Sequence, residues 1–276
     1  MTTIAKAVAA SPIGVHGAAR LTARIEVDGH GVHTGAPGRV TLTPGDPGSG
    51  RLWRSRGMSV PIDATLVDGA PGQSSLRVGD LALQTVEHVL AAISVLGLRD
   101  VVLEGEGEAP ILDGTVGAWV ERLRPAVVGD DPRPTTTLPR VLRVEAAGGR
   151  ATVAPAKRRE LAVRIDFGEG WSTVAAWGEG DDPTLWLSAR TFVRQVDVQA
   201  FQAAGRGRGA SLENTFVLDP TDPCGQSEAA RHKLADLVGD LAVMPPDLAF
   251  QAWVVRPSHA LNRNLARAIA SISPIG

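Results

Sequence analysis

The sequence predicts an α+β chain of two similar-sized domains. Three observations carry this reading. Strand-like and helix-like apolar patterns both occur in each half, without the regular alternation of a βα barrel. A stretch without periodicity, Arg124–Arg140, lies between the halves and holds four prolines, the composition of a linker. The length of 276 residues, 43% of them hydrophobic, is enough for two ordinary cores.

The elements follow in order. Residues 1–19 hold one lysine and an Ala/Val/Ile run broken by Ser11, Pro12 and Gly14, which reads as a flexible extension and not as a signal peptide. Domain I, residues 20–125, has strand-like runs at Leu21–Val27, Arg39–Thr43 and Val101–Glu104. Its helix spans Thr85–Leu96, with Thr85 as N-cap, Gly97 as the stop, and Val86, Val89, Leu90, Ile93 and Leu96 as the apolar stripe. Residues 126–140 are the linker. Domain II, residues 141–276, has strands at Val141–Val144, Ala151–Val153 and Leu161–Phe167 and a helix near Asp197–Ala204. A strong helix over Ser227–Val243, a strand over Ala249–Val255 and a closing helix over Ala260–Ala270 complete it.

Composition narrows the function. The formal net charge of −2 argues against sequence-independent nucleic-acid binding, which needs a basic surface. The single cysteine, Cys224, excludes a disulfide framework and a thiolate-rich metal site. The longest mostly apolar stretch, Val89–Leu98, falls far short of the roughly 20 residues of a membrane span. A soluble cytoplasmic protein is expected, in which any metal is held by histidine and carboxylate. The six histidines are His16, His30, His33, His88, His232 and His259.

Three motifs place such groups. In SEAARHKLADLVGDLAV, helical spacing puts Leu234, Leu237, Val238 and Leu241 on one stripe and His232, Asp236 and Asp240 together on another. A His and an Asp one turn apart can grip a metal ion, with Asp240 placed to orient a neighbour; the bland alternative is a solvated polar face. Gly239 and Val243 on that side point to a covered face. In TVEHVLAAISVLG, Glu87 and His88 lie off the apolar stripe; adjacent residues point different ways on a helix, yet both can border one cavity, as a metal ligand beside a proton-accepting carboxylate would, with an ordinary surface dipeptide as the alternative. In RPSHALNRN, His259 stands at a strand-to-helix junction behind Ser258, a candidate N-cap. It is either a polar loop residue or, if Asp240 bonds its ring, a cationic acid.

Taken with APILDG, ARTF, GHGVHTG at Gly29–Gly35 and GASLENTFVLD at Gly209–Asp219, these motifs resemble the zinc-dependent UDP-3-O-acyl-N-acetylglucosamine deacetylases of lipid A synthesis. The resemblance runs from about Arg20 to Ala268. It implies two α+β domains of similar topology, each a sheet layered against helices, with the active site in the cleft between them. It implies Zn2+ held by His88, His232 and Asp236, with Glu87 as general base. His259 would stabilise the oxyanion and protonate the amine, oriented by Asp240, and Thr191 would contact the reacting centre. Lys233 would lie near the phosphates or sugar, and Phe192 to about Leu212 would form a passage for the acyl chain. His33 would support the cleft or the substrate. His30 is expected to be structural or exposed, Asp113 a turn residue, and Cys224 a bystander.

The sequence departs from that family at several positions. Ser258 stands where glycine is usual, Val193 follows ARTF in place of glycine, GASL replaces GGSL, and GQSSLR lacks a cysteine-and-threonine pattern. These positions border the acyl passage and the cleft rim. The leading expectation is a monomeric deacetylase acting on a UDP-acyl-amino-sugar. A paralogue acting on another N-acetylated sugar or nucleotide conjugate is the close alternative. A non-catalytic sugar-nucleotide or acyl-chain binding protein is the distant one, because pure binding needs no base beside the metal.

Overall fold

The structure is a computed structural model that describes residues 18–131, 134–167 and 170–273. The expected extension over residues 1–19, with His16, therefore lies almost wholly outside the described residues; only Ala18 and Ala19 are seen, and both are buried.

The class is α+β. Six helices occur among the described residues: α1 (Glu87–Val95), α2 (Val116–Leu123), α3 (Thr184–Leu187), α4 (Val198–Ala203), α5 (Pro223–Asp240) and α6 (His259–Ala270). One five-stranded sheet has the order Ile25–His30, Pro37–Pro44, Val101–Gly105, Arg51–Ser55, Met58–Pro61. The second runs Leu142–Ala146, Gly149–Pro155, Leu248–Val255, Glu160–Ile165, Thr173–Gly178, with Thr136–Thr137 pairing at the start of the central strand.

The two sheets share one topology. In each, two antiparallel hairpins flank the strand that comes last in sequence, which is antiparallel to the first hairpin and parallel to the second. The inserted strands are the most apolar: Val101–Leu103 is buried without a break, as is Leu248–Phe250. A central strand covered on both faces needs that composition. Gly149–Pro155 instead alternates, with Ala151 and Val153 buried and Arg150 and Thr152 exposed, the pattern of a sheet with one solvated face.

Each inserted strand is preceded by a helix, α1 in the first half and α5 in the second, and these two pack on each other. Each is also followed by a helix, α2 and α6 respectively. A smaller four-stranded sheet runs Gly107–Glu108, Leu81–Gln84, Ser75–Val78, Val67–Asp68; its first three strands in the chain precede α1 and Gly107–Glu108 follows it.

Several sequence expectations shift. The helix around His88 is not one-sided: all its residues but Ser94 are buried, so Glu87 and His88 are interior. Thr85 does not cap it. Its φ of +56° is not the extended backbone an N-cap requires, and its hydroxyl donates to Glu108. Gly97 does stop α1, at φ +70°, where the Leu98 amide bonds the Ile93 carbonyl and the Gly97 amide the Ser94 carbonyl. The strong helix begins at Pro223, four residues before the expected Ser227, because Asp222 accepts from the Cys224 and Gly225 amides ahead of a proline at the first helical position. The proline-rich stretch is tied at both ends: Val127–Gly129 pairs with Ala19–Leu21, and Thr136–Thr137 with Leu248–Ala249.

Candidate metal centre and active site

Six ionisable side chains converge where α1, α5 and α6 meet. Glu87, His88, His232, Asp236, Asp240 and His259 are each 6% exposed or less. Burying so many charges opposes folding, so a cluster of this kind marks a functional site. Gly239 makes the approach possible: a β-carbon there would overlap the backbone carbonyl of Glu87. The side of α5 that helical spacing left open as a solvated face is therefore covered by the start of α1.

The geometry divides into two groups. In the first, ligand atoms of His88, His232 and Asp236 all lie within 4.8 Å of one another. Asp236 Oδ1 is 3.3 Å from His232 Nε2 and 3.9 Å from His88 Nε2, and Lys233 Nζ donates to Oδ2 at 2.7 Å. In the second, His259 Nδ1 donates to Asp240 Oδ2 at 2.9 Å; the direction is fixed because a carboxylate only accepts. Ser74 Oγ donates to Asp240 Oδ1 at 2.6 Å and Asn262 Nδ2 to Oδ2 at 2.8 Å. The other ring nitrogen of His259 faces the first group, 3.6 Å from Asp236 and 4.0 Å from Glu87 Oε1. Glu87 Oε2 accepts from the Ser74 amide at 3.0 Å.

The electrostatics suit a cation. Burial lowers His88 and pulls His232 down to about 3, so both imidazoles stay neutral at neutral pH. Burial opposes the Asp236 charge, but the cationic neighbours Lys233 and His259 favour it and keep the carboxyl ionised. Two neutral imidazoles and one carboxylate are the donors, in the protonation states, that a catalytic zinc site uses with a fourth position open. Burial raises Glu87 to about 7, with Asp240 and Asp236 adding to the shift against His259. His259 is raised to about 9: burial disfavours its charge, and Asp240, Asp236 and Glu87 more than restore it.

The site opens into a cavity of about 200 Å³. Thr191, Phe192, Lys233 and His33 all line it. The Thr191 hydroxyl donates to the Gly114 carbonyl at 3.2 Å, which fixes its rotamer. Phe192 stands edge-on to the His232 ring at 5.7 Å, beneath the Lys233 ammonium at 5.4 Å. Leu212 does not join them: it is 78% exposed and lies outside the lining, which includes Phe201. The chain after Phe201 turns back over the surface through Gly205 and Gly207, both at positive φ. His30 is exposed, Cys224 is exposed, and Asp113 makes a turn by accepting from Thr115.

Sequence reasoning missed Ser74, Glu108 and Asn262. Ser74 holds Glu87 through its amide and Asp240 through its hydroxyl. Glu108 accepts from the His33 and Thr34 amides and from the hydroxyls of Thr34 and Thr85. Ser74 lies outside any strand or helix and Glu108 in a strand of only two residues, so neither carries a periodic signal and only chain folding brings them in. Asn262 had a signal, one turn after His259 on the same face of α6.

Comparison with known proteins agrees with this geometry. The UDP-3-O-acyl N-acetylglycosamine deacetylase family matches residues 18–271. A UDP-3-O-acyl-N-acetylglucosamine deacetylase of Brucella ovis is 32% identical over 267 residues, covering 90% of this chain and 93% of the relative. One of Brucella abortus (strain S19) matches to the same extent, and one of Myxococcus xanthus is 29% identical over 262 residues, covering 89% and 83%. With its match over residues 18–271, this chain belongs to the UDP-3-O-acyl N-acetylglycosamine deacetylase family.

Proposed function

We propose that the protein hydrolyses the acetamide of UDP-3-O-acyl-N-acetylglucosamine, releasing acetate and leaving the free 2-amine, as in lipid A synthesis. One observation carries the reading: a carboxylate and an imidazole, Glu87 and His259, face each other at 4.0 Å beside the buried His88–His232–Asp236 group. A binding protein has no use for that pair.

Zn2+ held by His88, His232 and Asp236 would acidify its water and polarise the amide carbonyl. Glu87 accepts the proton of the attacking water, for which a value near neutrality is suited. His259, kept protonated by Asp240, delivers a proton to the departing nitrogen and stabilises negative charge on the carbonyl oxygen. Thr191 adds a hydroxyl at the same wall of the cavity, and Lys233 keeps Asp236 ionised while presenting its charge to the sugar nucleotide.

The same reading divides the chain into units of residues 20–125 and 141–276, supported by the repeated sheet topology, and places a monomer in the cytoplasm. Among the described residues no helix is long and apolar enough to cross a membrane. The test is a deacetylation assay with zinc-loaded protein on UDP-3-O-acyl-N-acetylglucosamine and on UDP-N-acetylglucosamine. Acetate release from the acylated substrate is expected, and turnover of neither overturns the proposal.

A further inference from the structure

Three arginines are buried together outside the catalytic cleft. Arg51, Arg99 and Arg159 are 6, 9 and 6% exposed, and none of them lines the active-site cavity. Arg51 opens the strand Arg51–Ser55 of the first sheet, and Arg99 lies between α1 and the strand Val101–Gly105. Arg159 comes from the other half, immediately before the strand Glu160–Ile165. The chain after α5 joins them. Arg51 Nε donates to the Leu98 carbonyl at 2.9 Å and Nη1 to the Ala242 carbonyl at 2.5 Å. A little further along that segment, the Pro245 and Leu248 carbonyls accept from Arg159 Nη2 at 2.9 and 3.0 Å.

The positive charge of this cluster is incompletely compensated. Burial lowers Arg51 to about 9, and repulsion from Arg159 and Arg99 adds to the shift, so the three groups feel one another. Among the described residues none of them forms an ion pair; Glu179 and Asp247 favour the Arg159 charge without touching its guanidinium. The Phe250 ring lies 5.1 Å from that guanidinium and offers it a π-face. Backbone carbonyls satisfy part of the rest, yet Arg99 Nη1 and Arg159 Nε are buried with no hydrogen-bond partner. Unpaired buried charge is strongly unfavourable, and an anion that accepts from several guanidiniums at once removes the cost. Guanidinium forks match the paired oxygens of a phosphate group, which chloride lacks.

We propose that Arg51, Arg99 and Arg159 form a second binding site, outside the catalytic cleft, that takes a phosphate group and through it ties the first half of the chain to the second.

The test titrates inorganic phosphate into the full chain by calorimetry and follows the thermal midpoint, with sodium chloride at matched ionic strength as the control. Saturable binding is expected, with the midpoint raised by about 5 °C at a phosphate concentration a hundred times the dissociation constant. Arg99 Nη1 bonds nothing in the protein, so Arg99→Met is expected to raise the midpoint in phosphate-free buffer and to abolish the phosphate response. Arg99→Lys keeps the charge but loses the fork and should weaken binding at least about tenfold. It carries the comparison if the Met variant does not fold. Glycerol 3-phosphate, titrated in parallel, separates the sources: tighter binding than phosphate assigns the site to a phosphomonoester, weaker binding to the free ion, and both support it. A phosphate response no larger than that of chloride overturns the proposal, as does one that persists unchanged when Arg99 is replaced.

Discussion

Gly239 of α5 lies against the backbone carbonyl of Glu87, with no room for a β-carbon between them. This contact sets the distance between the two helices that supply the candidate metal ligands. Alanine in a helix interior is ordinarily more stable than glycine by about 1 kcal/mol. Here overpacking of roughly 1–3 kcal/mol or more opposes that gain. Gly239→Ala is expected to lower stability to urea and to cut kcat/KM by about a hundredfold, since small misplacements at a reacting centre are costly. A variant more stable than the parent would show that the helices are free to separate.

Metal content separates ligand from base. His88→Ala and Asp236→Ala should each lose bound zinc, measured on the purified protein by elemental analysis. Glu87→Ala should retain it while losing about a hundredfold or more in kcat, the range of general-base catalysis. Equal zinc loss in His88→Ala and Glu87→Ala would mean that the two roles are exchanged.

The pH profile reports the Glu87–His259 pair. Glu87, raised by burial to about 7, acts ionised, and His259, raised to about 9 by Asp240, Asp236 and Glu87 against the cost of burial, acts protonated. Activity therefore rises on the acid limb and falls on the alkaline one, and a bound cation moves the acid limb lower. Asp240→Asn removes the largest charge holding the His259 proton, so the alkaline limb moves to lower pH. The stability linked to His259 has the same sign: it is fully present below the ordinary value of 6.5 and is lost as pH rises through about 9. An alkaline limb that stays in place in Asp240→Asn would exclude His259 as its origin.

Ser258, at a position where the family resemblance leads one to expect glycine, has φ −144° and ψ 156°, extended backbone that any residue adopts. Its hydroxyl accepts from the Leu261 amide at 3.2 Å and caps the helix that begins with His259. Ser258→Ala should cost about 1 kcal/mol in denaturant unfolding and Ser258→Gly only a few tenths. A neutral Ser258→Ala would leave the cap without energetic weight.

Helices bearing a clear stop or cap were legible from sequence. Gly97 after a helical run and Ser258 before one act locally, and both function as read. The start of α5 was expected four residues late, at Ser227, although Asp222 and Pro223 carry a cap-and-proline signal. The short strand Thr191–Arg194 was missed because its pairing partner lies farther along the chain, at Thr215–Leu218.

By itself the sequence determined which residues could do the chemistry: a lone cysteine left metal binding to histidine and carboxylate, and helical spacing set His232, Asp236 and Asp240 on one face of α5. Spacing cannot say whether a polar face is wet, since an amphipathic pattern is the same against water as against a second polar surface. Tertiary structure decided that. It inserted the last strand of each half into the middle of its sheet, brought α1 against α5 at Gly239, and so buried Glu87 and His88 beside His232 and Asp236. It also recruited Ser74 from a loop and Glu108 from a two-residue strand, both too short of periodic pattern to be placed without long-range packing.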